Sequence, residues 1–206
     1  MRHALALAAT LAIALSTGAF AGDFPTIDGF YIAAYGGLRV PDNLTYNGTP
    51  QDLGIGTTLG ASVGVDTSVP GIALDLDYLR SSTTYSVLGT ALTSQSLMLD
   101  AQYTLDLNLG IKPYLALGAG GVNLAYKSTD SGNALGYQLK LGATGPITDQ
   151  LSWFGEYRYQ QAVGSTINVG SPAYPVEYAS HNLLGGIKLS FGGATASSGY
   201  AGGTSY

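Results

Sequence analysis

Ser180 and His181 are the nearest approach to a catalytic pair in this chain. A serine activated by a neighbouring histidine base is the core of nucleophilic hydrolysis. Their adjacency argues against that chemistry, because successive side chains of an extended strand point to opposite faces. Parity along the surrounding stretch places His181 outward, near a rim, as a satisfied interface histidine. Metal chemistry fares no better: two histidines, one of them at position 3, and no cysteine do not make a transition-metal site. Asp42, Asp52 and Asp130 fall in polar connections where calcium ligands occur, but scattered acids of this kind are ordinarily just solvated. The run Gly118-Ala119-Gly120-Gly121 has no following helix to present its N-terminus to a phosphate. Close packing explains those glycines better. The sequons Asn43-Leu44-Thr45 and Asn47-Gly48-Thr49 matter only on a eukaryotic secretory route. No cofactor is expected.

The charges are more informative. Written as alternating strands, the sequence puts Asp75, Asp77, Asp100 and Glu156 on the same face as Arg39, Lys140, Arg158 and Lys188. Four acids then meet four bases. Charges withdrawn from water persist only when paired, so this pattern predicts a salt-bridge plug across a narrow interior. The alternative is a gated polar path through the same residues.

Positioning them takes strands. In Ala179–Phe191, Leu183, Gly185, Ile187, Leu189 and Phe191 oppose Asn182, Lys188 and Ser190, with Leu184 the exception. That period of two marks a strand with one greasy and one wetter face. It ends on an aromatic, which suits a lipid–water boundary. Similar alternation runs through Gly29–Val40, Gly54–Asp66, Gly71–Arg80, Gln95–Asp106, Leu135–Gly145 and Leu151–Ala162. In Lys112–Tyr126 glycine and alanine blur the pattern, and its faces stay unassigned. Eight strands result. Their connections alternate between long, polar stretches, at 41–53, 82–94, 127–134 and 164–178, and tight turns.

Composition narrows the setting. The 206 residues suit one domain, yet only 10% are charged, against roughly 25% in soluble domains. No apolar run approaches the ~18 residues of a spanning helix. Low charge without membrane helices points to a barrel of about ten-residue strands crossing a bilayer at a tilt. The N-terminus reads as a secretory signal over residues 1–21: Arg2 and His3, an apolar core at Ala4–Leu15, and an Ala19-Phe20-Ala21 cleavage box. A buried helix is the competing account. Without that segment 7 basic residues face 13 acidic ones, a net charge of −6, which argues against nucleic acid as a partner. Residues 192–206 form a Gly/Ser/Ala tail.

The segments G-F-Y-I-A-A-Y-G-G, K-P-Y-L-A-L-G-A-G-G, G-E-Y-R-Y and G-G-I-K-L-S-F resemble the small eight-stranded outer-membrane barrels of the OmpA-like and opacity-porin type. The resemblance spans Gly22–Phe191 and its motifs specify architecture more than activity. It implies an all-β, eight-stranded antiparallel up-and-down transmembrane β-barrel at residues 22–191, after a cleaved signal peptide. It implies a monomer held among outer-membrane lipids, inserted by the barrel-assembly machinery, with Phe191 as the assembly-signal aromatic. Gly192–Tyr206 follows that aromatic, whereas the family's signal usually ends the chain, so the signal is either read internally or supplied by Tyr206. No peptidoglycan-binding domain follows the barrel, and a wall-anchoring role is not implied. The expected function is a structural scaffold whose loops 41–53, 82–94 and 164–178 meet a surface ligand or host component. A narrow channel for ions or small hydrophobic solutes is the alternative. An outer-membrane lipid hydrolase is the least compatible reading, because of the Ser180–His181 geometry.

Overall fold

The structure is a computed structural model, and it describes residues 27–42, 44–46, 49–51, 54–84, 91–126, 130–167 and 174–191. The expected signal segment 1–21, the tail 192–206, and the side chains of Asp52 and Asp130 lie outside the described residues, as do Asn43 and Asn47. Ten strands follow in order: β1 (Ile27–Pro41), β2 (Leu44–Tyr46), β3 (Thr49–Gln51), β4 (Gly56–Thr67), β5 (Ile72–Thr84), β6 (Ala91–Thr104), β7 (Lys112–Tyr126), β8 (Asp130–Pro146), β9 (Leu151–Ile167) and β10 (Tyr174–Phe191). β2 and β3 form a separate two-stranded hairpin. The other eight close into an antiparallel barrel in which each strand pairs with its sequence neighbours and β10 returns to β1. Closure leaves no unpaired sheet edge. At the seam Phe191 is the register partner of Phe30, and their rings stack at 4.8 Å.

The barrel is apolar outside and polar inside. Phe30, Ile32, Leu38 and Val40 of β1, Leu99 and Tyr103 of β6, and Leu183 and Ile187 of β10 are all exposed. From Phe30 to Val40, at ~3.3 Å per residue and a tilt of ~40°, the belt is about 25 Å tall, the height of a hydrocarbon layer. The unassigned strand β7 now has faces: Tyr114, Ala116, Val122 and Leu124 are buried while Leu115 and Leu117 are exposed. Leu184, the exception to the alternation of β10, is buried inside against Tyr35 and Leu79.

Strand ends depart from the sequence expectation. β5 runs on to Thr84, β6 begins at Ala91, β8 begins at Asp130, and β9 and β10 reach Ile167 and Tyr174. The connections expected at 82–94, 127–134 and 164–178 are therefore much shorter, and 41–53 contains the β2–β3 hairpin. The physical reason is that backbone pairing continues where both faces of a strand carry polar residues. Alternation fades there, so Ser/Thr-rich overhang reads as loop. Tight turns occupy 68–71, 105–111 and 147–150 at the other end, with Gly71, Asn108 and Gly110 at positive φ. In the second of these, Lys112 Nζ lies 2.7 Å from Asp106 Oδ2 and holds that exposed carboxyl below the usual carboxylate range.

Two features of the wall position the interior. Tyr31, Tyr35 and Tyr114 face Gly64, Gly60 and Gly142 as direct cross-strand partners. Each ring lies flat over its glycine, in space that a Cβ would have to share. The second feature is shear. Register partners followed around the barrel run Ala73, Gln102, Ala116, Lys140, Arg158, Asn182, Arg39 and Gly56, and Thr83 of β5 packs over that glycine. The row starts on β5 at residue 73 and returns to it at residue 83, ten residues further along. Inward residues on one row thus climb steadily from the turn end toward the hairpin end.

Candidate functional site

The centre of the lumen is a charge network built from β5, β6, β8 and β9. Lys140 is 3% exposed, and its Nζ sits 2.7 Å from Asp100 Oδ2, 2.9 Å from Asp77 Oδ2 and 3.5 Å from Asp75 Oδ1. Carboxylate oxygens of these three aspartates lie within 4.8 Å of one another. That convergence is what a hard cation would seek, and the Lys140 ammonium fills it. Arg158 is 1% exposed and holds Asp77 with both terminal nitrogens, at 2.8 and 3.1 Å. Its Nε also donates to Glu156 Oε1 at 2.8 Å. Two-pronged guanidinium–carboxylate pairing fixes geometry as well as charge.

Neutral groups complete the network, and these the sequence reading missed. Tyr31 Oη donates to Asp75 Oδ2 at 3.1 Å and Tyr114 Oη to Glu156 Oε2 at 2.9 Å. Arg158 Nη1 donates to Tyr35 Oη at 3.3 Å, and the guanidinium Cζ lies 5.0 Å from the centre of that ring. Gln138 Nε2 reaches both oxygens of Asp100, at 2.7 and 2.9 Å. The Asp100 carboxylate itself occupies the space above Gly118, its register partner on β7. A signal for three of these partners was present: Tyr31, Tyr35 and Gln138 share the parity of the charges on their strands, whereas Tyr114 lies on the strand whose faces the sequence left unassigned. Below the network a cavity of about 30 Å³ remains, lined in part by Asp75, Lys140, Glu156 and Lys188. That volume has room for one or two waters.

Two of the four expected bases stand apart. Among the described residues, no acid forms an ion pair with Arg39. It is 1% exposed, its Nη1 donates to Ser94 Oγ at 2.6 Å, and its guanidinium lies 4.6 Å from the centre of the Tyr178 ring. Lys188 lies near the turn end, its Nζ 4.8 Å from the Tyr31 ring centre, and likewise forms no ion pair among the described residues. The expectation that four acids meet four bases is therefore corrected: four acids meet two bases. Parity assigns a residue to the inner face but not to a height. Arg39 shares a register row with Lys140 and Arg158, yet two further strands of climb carry it above the acids.

The remaining candidates are dispersed. Ser180 is buried on the inner face, whereas His181 is half-exposed on the outer one. The His181 ring makes contacts of 2.6 Å with Tyr157 Oη and 3.2 Å with Asp42 Oδ1, and stacks on Tyr157. Asp42 is thus engaged by an imidazole.

The sequence model of the family described as "Outer membrane protein beta-barrel domain" matches residues 6–202. No curated protein matches the chain. Among solved structures, Neisserial surface protein A superposes with a TM-score of 0.62 at 18% identity, over 79% of this chain and 97% of that one. The outer membrane protein OprG from Pseudomonas aeruginosa does so with a TM-score of 0.52 at 14% identity, over 81% and 97%. At such identities the likeness is one of fold.

Proposed function

The chain belongs to the outer membrane protein beta-barrel domain family, and from that premise we propose that it is a plugged scaffold of the bacterial outer membrane, without enzymatic activity. Its barrel is the fixed part. Its outer end, formed by the β2–β3 hairpin and the connections at 85–90, 127–129 and 168–173, makes the contacts with a surface ligand or envelope component. In this reading residues 1–21 are a cleaved export signal, residues 192–206 trail into the periplasm, and the barrel works as a monomer. The barrel-assembly machinery inserts it, reading Phe191.

One observation carries the proposal: the Lys140 ammonium is enclosed by three carboxylates while Arg158 ties two further acid contacts across the same level. An ion crossing the lumen has to break those pairs where the dielectric is low, and breaking a buried pair costs about 3–5 kcal/mol. The competing reading, a narrow channel, draws on the surplus of acids and on Asp75 Oδ1, which accepts no hydrogen bond. Planar-bilayer recording separates the two. A plugged scaffold conducts rarely and in brief events. Replacing residues 85–90 by a two-residue turn should then alter ligand capture by whole cells and leave conductance untouched. Steady wild-type conductance would replace the scaffold by the channel.

A further inference from the structure

Arg39 is a buried cation whose charge no acid among the described residues balances. Its Nη1 is used by Ser94, while Nε and Nη2 have no hydrogen-bond partner among the described residues. Those two nitrogens form one edge of the guanidinium, the edge that grips a carboxylate or similar acceptor with two parallel hydrogen bonds. The Oγ1 hydroxyl of Thr83, also 1% exposed, is likewise without a partner. The two orphans lie on either side of Gly56: Arg39 is its register partner on β1, and the Thr83 hydroxyl of β5 occupies the space directly over it. Around them the wall is hydroxyl-rich. Thr58 and Ser81 share a hydrogen bond of 2.8 Å, and Tyr178 Oη donates to Ser94 Oγ at 3.1 Å.

Native interiors rarely leave buried donors unpaired, and such groups call for a water or an ion. A guanidinium shut away from water calls for the ion, since an isolated buried charge is far costlier than an unpaired amide. We propose that the upper lumen holds a small-anion site in which the Nε and Nη2 edge of Arg39, assisted by the Thr83 hydroxyl, binds a chloride ion or a single carboxylate group. The acid-rich network around Lys140 lies below it on the path to the turn end. An anion entering from the hairpin end is therefore held at Arg39 and repelled further down, and the site does not depend on whether the lumen conducts.

The test uses the full mature chain refolded in detergent micelles, with arginine labelled by ¹⁵N. Sodium chloride, sodium acetate and sodium gluconate are titrated at fixed ionic strength, gluconate serving as an anion too bulky to enter. The Arg39 Nε–Hε resonance should move saturably with chloride or acetate and stay still with gluconate. The unfolding midpoint should climb with the logarithm of the same anion's concentration. Both responses should vanish in Arg39→Gln, which in gluconate should be no less stable than the wild type. Thr83→Val should weaken binding roughly two- to tenfold, the worth of one hydrogen bond. A resonance that responds to neither anion, or a midpoint shift that survives Arg39→Gln, would overturn the site. So would a loss of stability in Arg39→Gln in gluconate matched by Glu177→Gln or Asp52→Asn, which would assign the partner to the chain itself. Should Arg39→Gln fail to fold, the wild-type resonance decides alone.

Discussion

Lys140 and Lys188 have the same side chain and the same inward parity, yet their surroundings differ. Lys140 touches three carboxylates, whereas Lys188 touches a tyrosine face. Lys140→Met leaves Asp75 and Asp100 buried without a cation among the described residues, and should destabilise the barrel by about 3–5 kcal/mol. Lys188→Met removes only a cation–π contact, worth about 0.5–2 kcal/mol. Urea titrations of both variants refolded into bilayers give the comparison; equal losses would remove the distinction. Adding Asp100→Asn to Lys140→Met should recover part of the stability, because Asp100 has no other cation there and that stranded charge is then gone. Leu139, next to Lys140, faces outward. Leu139→Arg places a guanidinium against lipid and should cost about 2–4 kcal/mol near the midplane, read in the same assay.

At the scale of elements, the glycine–tyrosine pairs let two strands present long polar groups to one interior. Gly64 gives its space to the Tyr31 ring, whose hydroxyl then reaches Asp75. Gly64→Val should push that ring aside, break the hydrogen bond and cost about 1–3 kcal/mol by overpacking. Gly121, with nothing near its would-be Cβ, should accept alanine with little change. The closing strand raises a different question. Phe191 ends β10 and stacks on Phe30, so it stabilises the seam whether or not it is also a signal. Deleting residues 192–206 should leave insertion by the assembly machinery intact, while Phe191→Ala should slow it beyond what its stability loss explains. The opposite result would move the signal to Tyr206.

For the whole molecule, the lumen decides between plug and passage. Arg158 contacts Asp77, Glu156 and Tyr35 at once. Arg158→Ala should strand Glu156, admit water and lengthen open events in planar bilayers. A conductance already steady in the wild type and unchanged by Arg158→Ala would mean that the network does not block the path. The surplus of acids over bases in contact adds a second expectation: whatever current the variant passes should favour cations, because the opened lumen keeps three aspartates and Glu156.

The sequence by itself determined the number of barrel strands, the outward and inward faces of seven of them, and the polar character of the interior, but not the β2–β3 hairpin. Each follows from a period of two, which is local and needs no knowledge of neighbours. It also separated Ser180 from His181, by the same rule. The tertiary structure alone decided height. Arg39 and Arg158 have equal parity, but the shear of the closed barrel lifts Arg39 above the acids and leaves Arg158 among them. That shear is a property of closure, a ten-residue offset summed over eight pairings, and no single strand encodes it. The same holds for strand length beyond the apolar belt, where both faces carry polar residues and alternation falls silent while backbone pairing continues. The tyrosine hydroxyls joined the network for a related reason: whether a ring lies across a glycine depends on register between strands.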